Sequence, residues 1–288
     1  MDLHNLPRGC LDGIPTNKKY LDKLQIPGSF WDFGEEDVRR ERRKYGVPFF
    51  NHPARYRPII VDACLKLWGE SPVLDPMAGT HTTLFVAEHF GFEAWGNELE
   101  SKFIGEVKKN LPIIRLDNII IDFRSRLNCG DARNLPYQNE KFGFIMFSPP
   151  YFNAIDDPKV REGYGLTAAV RSQYSDSEDN IGNIRDYNNY LAEMSKIYSE
   201  CYRILKPDKY MVVVVKDLMR EGGRAPIGVD TVNLCRNAGF YTWSIIANKL
   251  RHFAVWVPAR VKEHLEKNHP VTMIDYEWII VMKKLAKI

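Results

Sequence analysis

Residues 147–155 read FSPPYFNAI and follow the apolar run KFGFIM. Neither proline has an amide hydrogen, so a strand that reaches them must end there. What the strand then presents is the Ser148 hydroxyl, the Pro149 carbonyl, Pro150 and the Tyr151 ring. These are hydrogen-bond acceptors beside a stacking surface, a set suited to a flat heterocycle such as a flipped nucleobase.

A second set lies upstream. In VLDPMAGTHTT an apolar strand ends at Asp75, a turn of small residues (Pro76, Ala78, Gly79, Thr80) follows, and Thr82 and Thr83 open a helix. Such a helix start offers amide hydrogens to an anionic group. It has neither the lysine of a phosphate loop nor the three glycines of a dinucleotide fingerprint. GNELE then places Glu98 at the end of the next strand, where a carboxylate can accept from two ribose hydroxyls. GDARNLP puts Asp131, followed by Ala132, at a third tip, placed to accept from an adenine amino group. In order, these positions outline a nucleoside with a carboxylate-bearing tail at the glycine turn.

The elements that must position them alternate. Strands are expected at 72–75, 92–98, 126–131, 142–148, 210–217, 240–249 and 276–284, with helices at 82–90, 100–110, about 186–205 and about 229–238. A further helix is expected from about Pro58. Short apolar strands bounded by Gly, Asp or Pro read as buried and parallel. The fold class is therefore α/β, a doubly wound, mostly parallel seven-stranded sheet with loops inserted at the strand carboxyl ends. Residues 1–50 read as an N-terminal extension and 51–288 as the catalytic domain. Within it, 152–185 and 250–275 are candidate target-contact insertions, and 218–228 reads as a Gly-rich loop.

DPMAGTHTT, GNELE, GDARNLP and SPPY, in this order, resemble the motif set of the S-adenosylmethionine-dependent amino-methyltransferases that act on DNA, and SPPY most resembles their cytosine-N4 type. The similarity spans about residues 51–284, and Met77 and His81 stand where the family more often has Phe and Gly. It implies the class I methyltransferase fold and S-adenosyl-L-methionine as cofactor. Asp75, Pro76, Ala78, Gly79, Thr80, Thr82, Thr83, Glu98, Asp131 and Ala132 would bind it, with His52 and Pro53 of HPARYRP closing over its methionine end. Ser148, Pro149, Pro150 and Tyr151 would be catalytic, and the partner DNA, a duplex with one base flipped out, with adenine-N6, RNA or protein amide methylation and a silent binding homologue as alternatives. Phe152, Asn153, Arg161, Arg171, Lys216, Arg251 and Arg260 are candidate substrate contacts.

The totals agree with this. A chain of 288 residues, 44% hydrophobic and 27% charged, builds a sizeable core. A net charge of +3 permits a polyanionic partner without demanding one. No apolar run is of membrane-spanning length, and the N-terminus has no signal-peptide core, so a cytoplasmic protein is expected. Five scattered cysteines without a C-x-x-C pair, and His264 and His269 without companion ligands, argue for no metal. The run Glu35–Lys44 reads as a solvated helix of alternating charges in preference to a nucleic-acid patch, His81 as a packed or capping histidine in preference to a general base, and Lys216–Asp217 as facing the cleft or as a surface pair.

Overall fold

The computed structural model describes residues 30–33, 38–47, 57–111, 115–116, 119–120, 122–152, 177, 179–220, 223–250 and 276–286. Its strands are β1 (Phe30–Trp31), β2 (Val73–Asp75), β3 (Ala94–Glu98), β4 (Arg115–Leu116), β5 (Ile119–Ile120), β6 (Leu127–Cys129), β7 (Phe142–Phe147), β8 (Leu205–Val215), β9 (Leu218–Arg220), β10 (Gly223–Ala225), β11 (Tyr241–Lys249) and β12 (Tyr276–Lys283). Its α-helices are α1 (Val38–Lys44), α2 (Pro58–Trp68), α3 (Thr82–His89), α4 (Ser101–Asn110), α5 (Tyr187–Ile204) and α6 (Ile227–Asn237).

The central strands are buried on both faces, and their side chains alternate between two cores with the period of two that a pleated strand imposes. Phe144 and Met146 of β7, Val212 and Val214 of β8, and Ile279 and Val281 of β12 join one cluster, with α2, α3 and Tyr45. Ile145 and Phe147, Met211, Val213 and Val215, and Ile280 and Met282 join the other, with α5 and α6. The α5 contribution, Tyr190, Met194, Ile197, Tyr198, Cys201 and Ile204, follows the helical stripe. Asp186 starts that helix by accepting the Asn189 amide at 2.8 Å. Pro58 opens α2, where its fixed φ suits the first helical position and its missing amide costs nothing.

The sheet has eight strands in the order β1-β11-β12-β8-β7-β2-β3-β6. The eighth, β1, pairs in parallel with β11 and is two residues long, too short to leave a periodicity in the sequence. The sheet is mostly parallel, as expected, and antiparallel β12 lies between β8 and β11. Burial on both faces demands the same apolar composition in either direction, so composition does not report strand direction.

The stretch 218–228 is not a loop: β9 and β10 form an antiparallel hairpin, and α6 begins at Ile227. The charged run Glu35–Lys44 is not simply solvated either. In α1, Glu41 and Arg42 are 3% and 2% exposed. Glu41 pairs with Arg57 at the start of α2, and Asp62 of α2 accepts the Tyr45 hydroxyl and pairs with Lys66 at 2.7 Å. The described part of residues 1–50 thus adds a strand, a helix and the buried Trp31, Tyr45 and Val47 to the main core.

Asp217 is buried, not part of a surface pair. Its two oxygens accept the Gly228 amide at 2.8 Å and the Trp278 indole N–H at 3.3 Å. The indole lies so close to Gly228 that an added Cβ would stand 2.4 Å from Trp278 Cδ1. Gly228→Ala is expected to cost about 1–3 kcal/mol through overpacking. It would lower the denaturant midpoint with the slope of the transition unchanged; a midpoint like that of the parent would show that the indole yields.

Candidate active site

Strands β2 and β7 are parallel neighbours, with Val73 opposite Phe144 and Leu74 opposite Ile145. Their carboxyl ends therefore leave the same sheet edge about 4.8 Å apart. From β2 the chain proceeds through the glycine turn and α3 to β3 on one side; from β7 it proceeds through SPPY and α5 to β8 on the other. The strand order reverses at this point, and open α/β sheets hold their ligand crevice at such a switch point, beyond the strand ends.

The glycine turn is held by its own strand-end acid. Asp75 accepts the Met77 amide at 3.1 Å and the Thr83 hydroxyl at 2.5 Å. Pro76, Ala78, Thr80, Thr82 and Thr83 are buried, and the Thr80 and Thr82 hydroxyls lie 3.4 Å apart. Gly79, with φ of +49°, takes a conformation that disfavours a side chain. Its amide donates to Glu98 Oε2 at 2.7 Å, joining the turn to the tip of β3. His81 is packed: fully buried at φ +61°, it makes no side-chain cap, and its ring lies 6.3 Å from Phe123 at 14°.

Glu98 also accepts the Glu100 amide, at 2.9 Å through Oε1. Burial raises the Glu98 carboxyl above its ordinary range, and the Glu100 and Gly79 amides offset this in part. On β6, Cys129 lies opposite Glu98, and Asp131 follows two residues later. Asp131 accepts the Arg133 amide at 2.8 Å and Arg133 Nε at 2.7 Å. Burial alone would raise Asp131, but the Arg133 bonds and charge outweigh it and keep the carboxyl below its usual range. Ala132 points into the second core.

At the β7 tip Ser148 is half-buried, Pro149 buried, and Pro150 and Tyr151 half-buried. Tyr190 of α5 donates its hydroxyl to the Pro150 carbonyl at 3.0 Å, which reserves that carbonyl for the fold. Burial, and after it the charge of Glu277, raise the Tyr151 pKa, while the backbone at Lys216 beyond β8 lowers it. Phe152 turns inward, 6% exposed, with its ring 4.9 Å from Tyr187 and 5.8 Å from Tyr190. His52, Pro53, Asn153, Arg161, Arg171, Arg251 and Arg260 lie outside the described residues.

Sequence reasoning passed over three positioning residues. Asn97 donates to the Pro76 carbonyl at 3.0 Å and the Gly130 carbonyl at 2.9 Å, and accepts from Asn128 at 2.6 Å. Arg133 joins Asp131 to Glu193 of α5 and to Asp179. The third is Tyr190. Asn97 stands beside Glu98 in GNELE and Arg133 two residues after Asp131 in GDARNLP, and those motifs are the signals they leave in the sequence. Among the described residues no three His, Cys, Asp or Glu are grouped to hold a metal ion, and no helix is long and apolar enough to cross a membrane.

A family model, N6_N4_Mtase, described as DNA methylase, matches residues 142–287. No curated protein sequence matches the chain. Among solved structures, a proposed sarcosine dimethylglycine methyltransferase of Galdieria sulphuraria aligns over 87% of this chain and 99% of its own, at 13% identity and TM-score 0.50. TrmN of Thermus thermophilus aligns over 88% of this chain and 55% of its own, at 17% identity and TM-score 0.47. TTHA0409, a proposed DNA modification methylase of the same organism solved with S-adenosyl-L-methionine, aligns over 55% of each chain at 21% identity and TM-score 0.36. This chain thus spans about half the length of TTHA0409 and TrmN. The Galdieria likeness shows the α/β fold of class I methyltransferases. The family match covers half of the chain and takes in β7 with its SPPY tip, β8, β11 and β12, so the protein belongs to the N6/N4 DNA methylase family.

Proposed function

We propose that the chain transfers a methyl group from S-adenosylmethionine to the exocyclic amino group of a flipped DNA base, cytosine N4 in preference to adenine N6. The observation that carries this reading is the parallel β2–β7 pairing, which sets the glycine turn and the SPPY tip side by side at the switch point. The donor set suits the cofactor. Glu98 and Asp131, on neighbouring tips, have acceptor capacity for ribose hydroxyls and an adenine amino group, and Gly79 presents bare backbone between them and SPPY. When bound, S-adenosylmethionine supplies a methyl group on a cationic sulfur.

The protein's part is orientation and charge. An exocyclic amine on a base ring has its lone pair delocalised into the ring and is a poor nucleophile. The Ser148 hydroxyl and the Pro149 carbonyl accept from its two N–H bonds, which turns the lone pair outward and stabilises the positive charge that develops on nitrogen. Proline fixes that carbonyl without adding an amide that needs a partner. The Tyr151 ring stacks on the base, a contact worth about 1–3 kcal/mol. The methylated nitrogen is acidic and releases its proton to water, so the site needs no dedicated base. Arg161, Arg171, Arg251, Arg260 and Lys216 are proposed to reach phosphates or base edges.

Incubation with labelled cofactor and mixed-sequence DNA or RNA, followed by nucleoside mass spectrometry, is expected to yield N4-methylcytosine in DNA; a label in RNA, in protein or nowhere overturns the assignment. Ser148→Ala and Tyr151→Ala are each expected to lower kcat about 10²-fold or more, as loss of one aligned charge-stabilising group does. Calorimetric affinity for S-adenosylhomocysteine should stay within about two-fold, because neither residue belongs to the cofactor's contact set.

For Glu98→Gln, cofactor affinity should fall about 10-fold or more, the scale of a hydrogen bond to a charged acceptor. The carboxylate is the accepting form and burial raises its pKa, so wild-type affinity should fall on acidification at a higher pH than an ordinary glutamate would give. Isothermal titration across pH 4–7 reads both effects, and a flat profile in the wild type would remove Glu98 from the ribose site.

A further inference from the structure

Strand β6 ends the sheet among the described residues, is three residues long and pairs with β3 alone. Asp131 follows it, so no further strand supports this tip from the outer side. Glu98 on β3 is fixed by the backbone amides of Gly79 and Glu100. Asp131 is fixed by one residue, Arg133. Its Oδ1 accepts the Arg133 amide at 2.8 Å, and its Oδ2 accepts Nε at 2.7 Å and stands 2.6 Å from Nη2.

The guanidinium is held in turn on its far side. Nη1 donates to Glu193 Oε2 at 2.7 Å, and Nη2 donates to the Asp179 carbonyl at 3.3 Å and carboxylate at 3.2 Å. Glu193 precedes Met194 on α5, which with Tyr190 and Ile197 seats that helix in the second core. A planar fork bonded to three acids has one orientation, whereas an ammonium on a flexible stem would not. The Arg133 side chain is 20% exposed and that of Asp131 34%, so the fork is the better shielded and the acid the more open.

An ionised carboxylate accepts about four hydrogen bonds, so the two that Arg133 donates leave capacity for a further donor. We propose that Arg133 is the positioning residue through which the site selects adenine: by fixing the Asp131 carboxylate, it gives the amino group of the cofactor's base one aligned acceptor. The inference rests on Asp131 as the adenine acceptor in the function proposed above. It adds that base discrimination depends on a residue outside the cofactor's contact set.

The test is calorimetric affinity for S-adenosylhomocysteine and for its purine analogue, in which hydrogen replaces the adenine amino group. The proteins are the wild type, Arg133→Ala, Asp131→Ala and the double variant. The wild type should favour the adenine ligand about 10-fold or more, the scale of a hydrogen bond to a charged acceptor. In Arg133→Ala that preference should fall to about three-fold or less, because a hydrogen bond weakens steeply once misaligned. Affinity for the purine ligand should stay as in the wild type. Asp131→Ala should abolish the preference, and adding Arg133→Ala should change it no further, as for a residue that acts through another.

A merely structural arginine would weaken both ligands alike and keep the preference, which overturns the proposal. Arg133→Lys guards against a fold lost with the charge. It keeps a cation among the three acids without the fork, so its preference should fall as well, and a wild-type preference there also overturns the proposal. If the wild type shows no preference, the role of Asp131 fails and this inference with it. If the preference is present and survives Arg133→Ala, Asp131 stands as the adenine acceptor and the role of Arg133 alone fails.

Discussion

The parallel hydrogen bonding of β2 to β7 is the constraint on which the site depends. It joins strands that are far apart in sequence, and each leads its chain away from the other, β2 toward β3 and β7 toward β8. A sheet that passed both connections to the same side would stack a helix over the tips and close the crevice. The apolar content of the two strands secures the pairing. Val73, Leu74 and all six residues of β7 are buried, and each fully buried large aliphatic or aromatic side chain contributes about 1.5–3 kcal/mol. The geometry of the polar tips is thus supported by apolar residues that never touch a ligand.

Around that pair the polar groups stiffen one another. Asn97 ties the Pro76 and Gly130 carbonyls, its own carbonyl receives the Ala78 amide, and Glu98 receives the Gly79 amide. Three strand tips and the glycine turn therefore move as one body. The proposed cofactor site, already stitched through Asn97 and Glu98, would lose less ordering entropy on binding than one made of separate loops. The same logic applies on the β7 side, where Tyr190 secures the Pro150 carbonyl next to the serine hydroxyl and the Pro149 carbonyl that are proposed to orient the base.

How much of this the sequence disclosed follows from the range of the interactions. Glycine, proline and strand-end acids act locally, so the glycine turn, Glu98, Asp131 and SPPY were legible, as were the starts of α2, α3 and α5. Strand direction was not, because Ile279 to Met282 would carry the same apolar run in either orientation. Nor were contacts between distant segments. Nothing local marks Arg42 for burial, sets Trp278 against Gly228, or selects Asn97 over neighbouring polar residues. Strand β8 begins at Leu205, five residues before the expected start. Its polar LysProAsp segment reads as a turn, yet Asp208 donates its amide to the Lys284 carbonyl at 2.6 Å.

The described residues on either side of 153–176 are anchored beside the strand tips. On the outgoing side Phe152 is fixed between Tyr187 and Tyr190, directly after the SPPY tyrosine. On the returning side, Arg133 holds Asp179 by its carbonyl at 3.3 Å and its carboxylate at 3.2 Å. Gly182 lies so close to Pro150 that an added Cβ would stand 3.3 Å from the proline Cβ. One stem is therefore bonded to the residues that would hold the target, and the other, through Arg133, to the acid that would hold adenine. Exposed ion pairs contribute little singly, but Arg133 is mostly buried and serves three carboxylates, which makes its position costly to change. A displacement of the returning stem would disturb Asp131 as well.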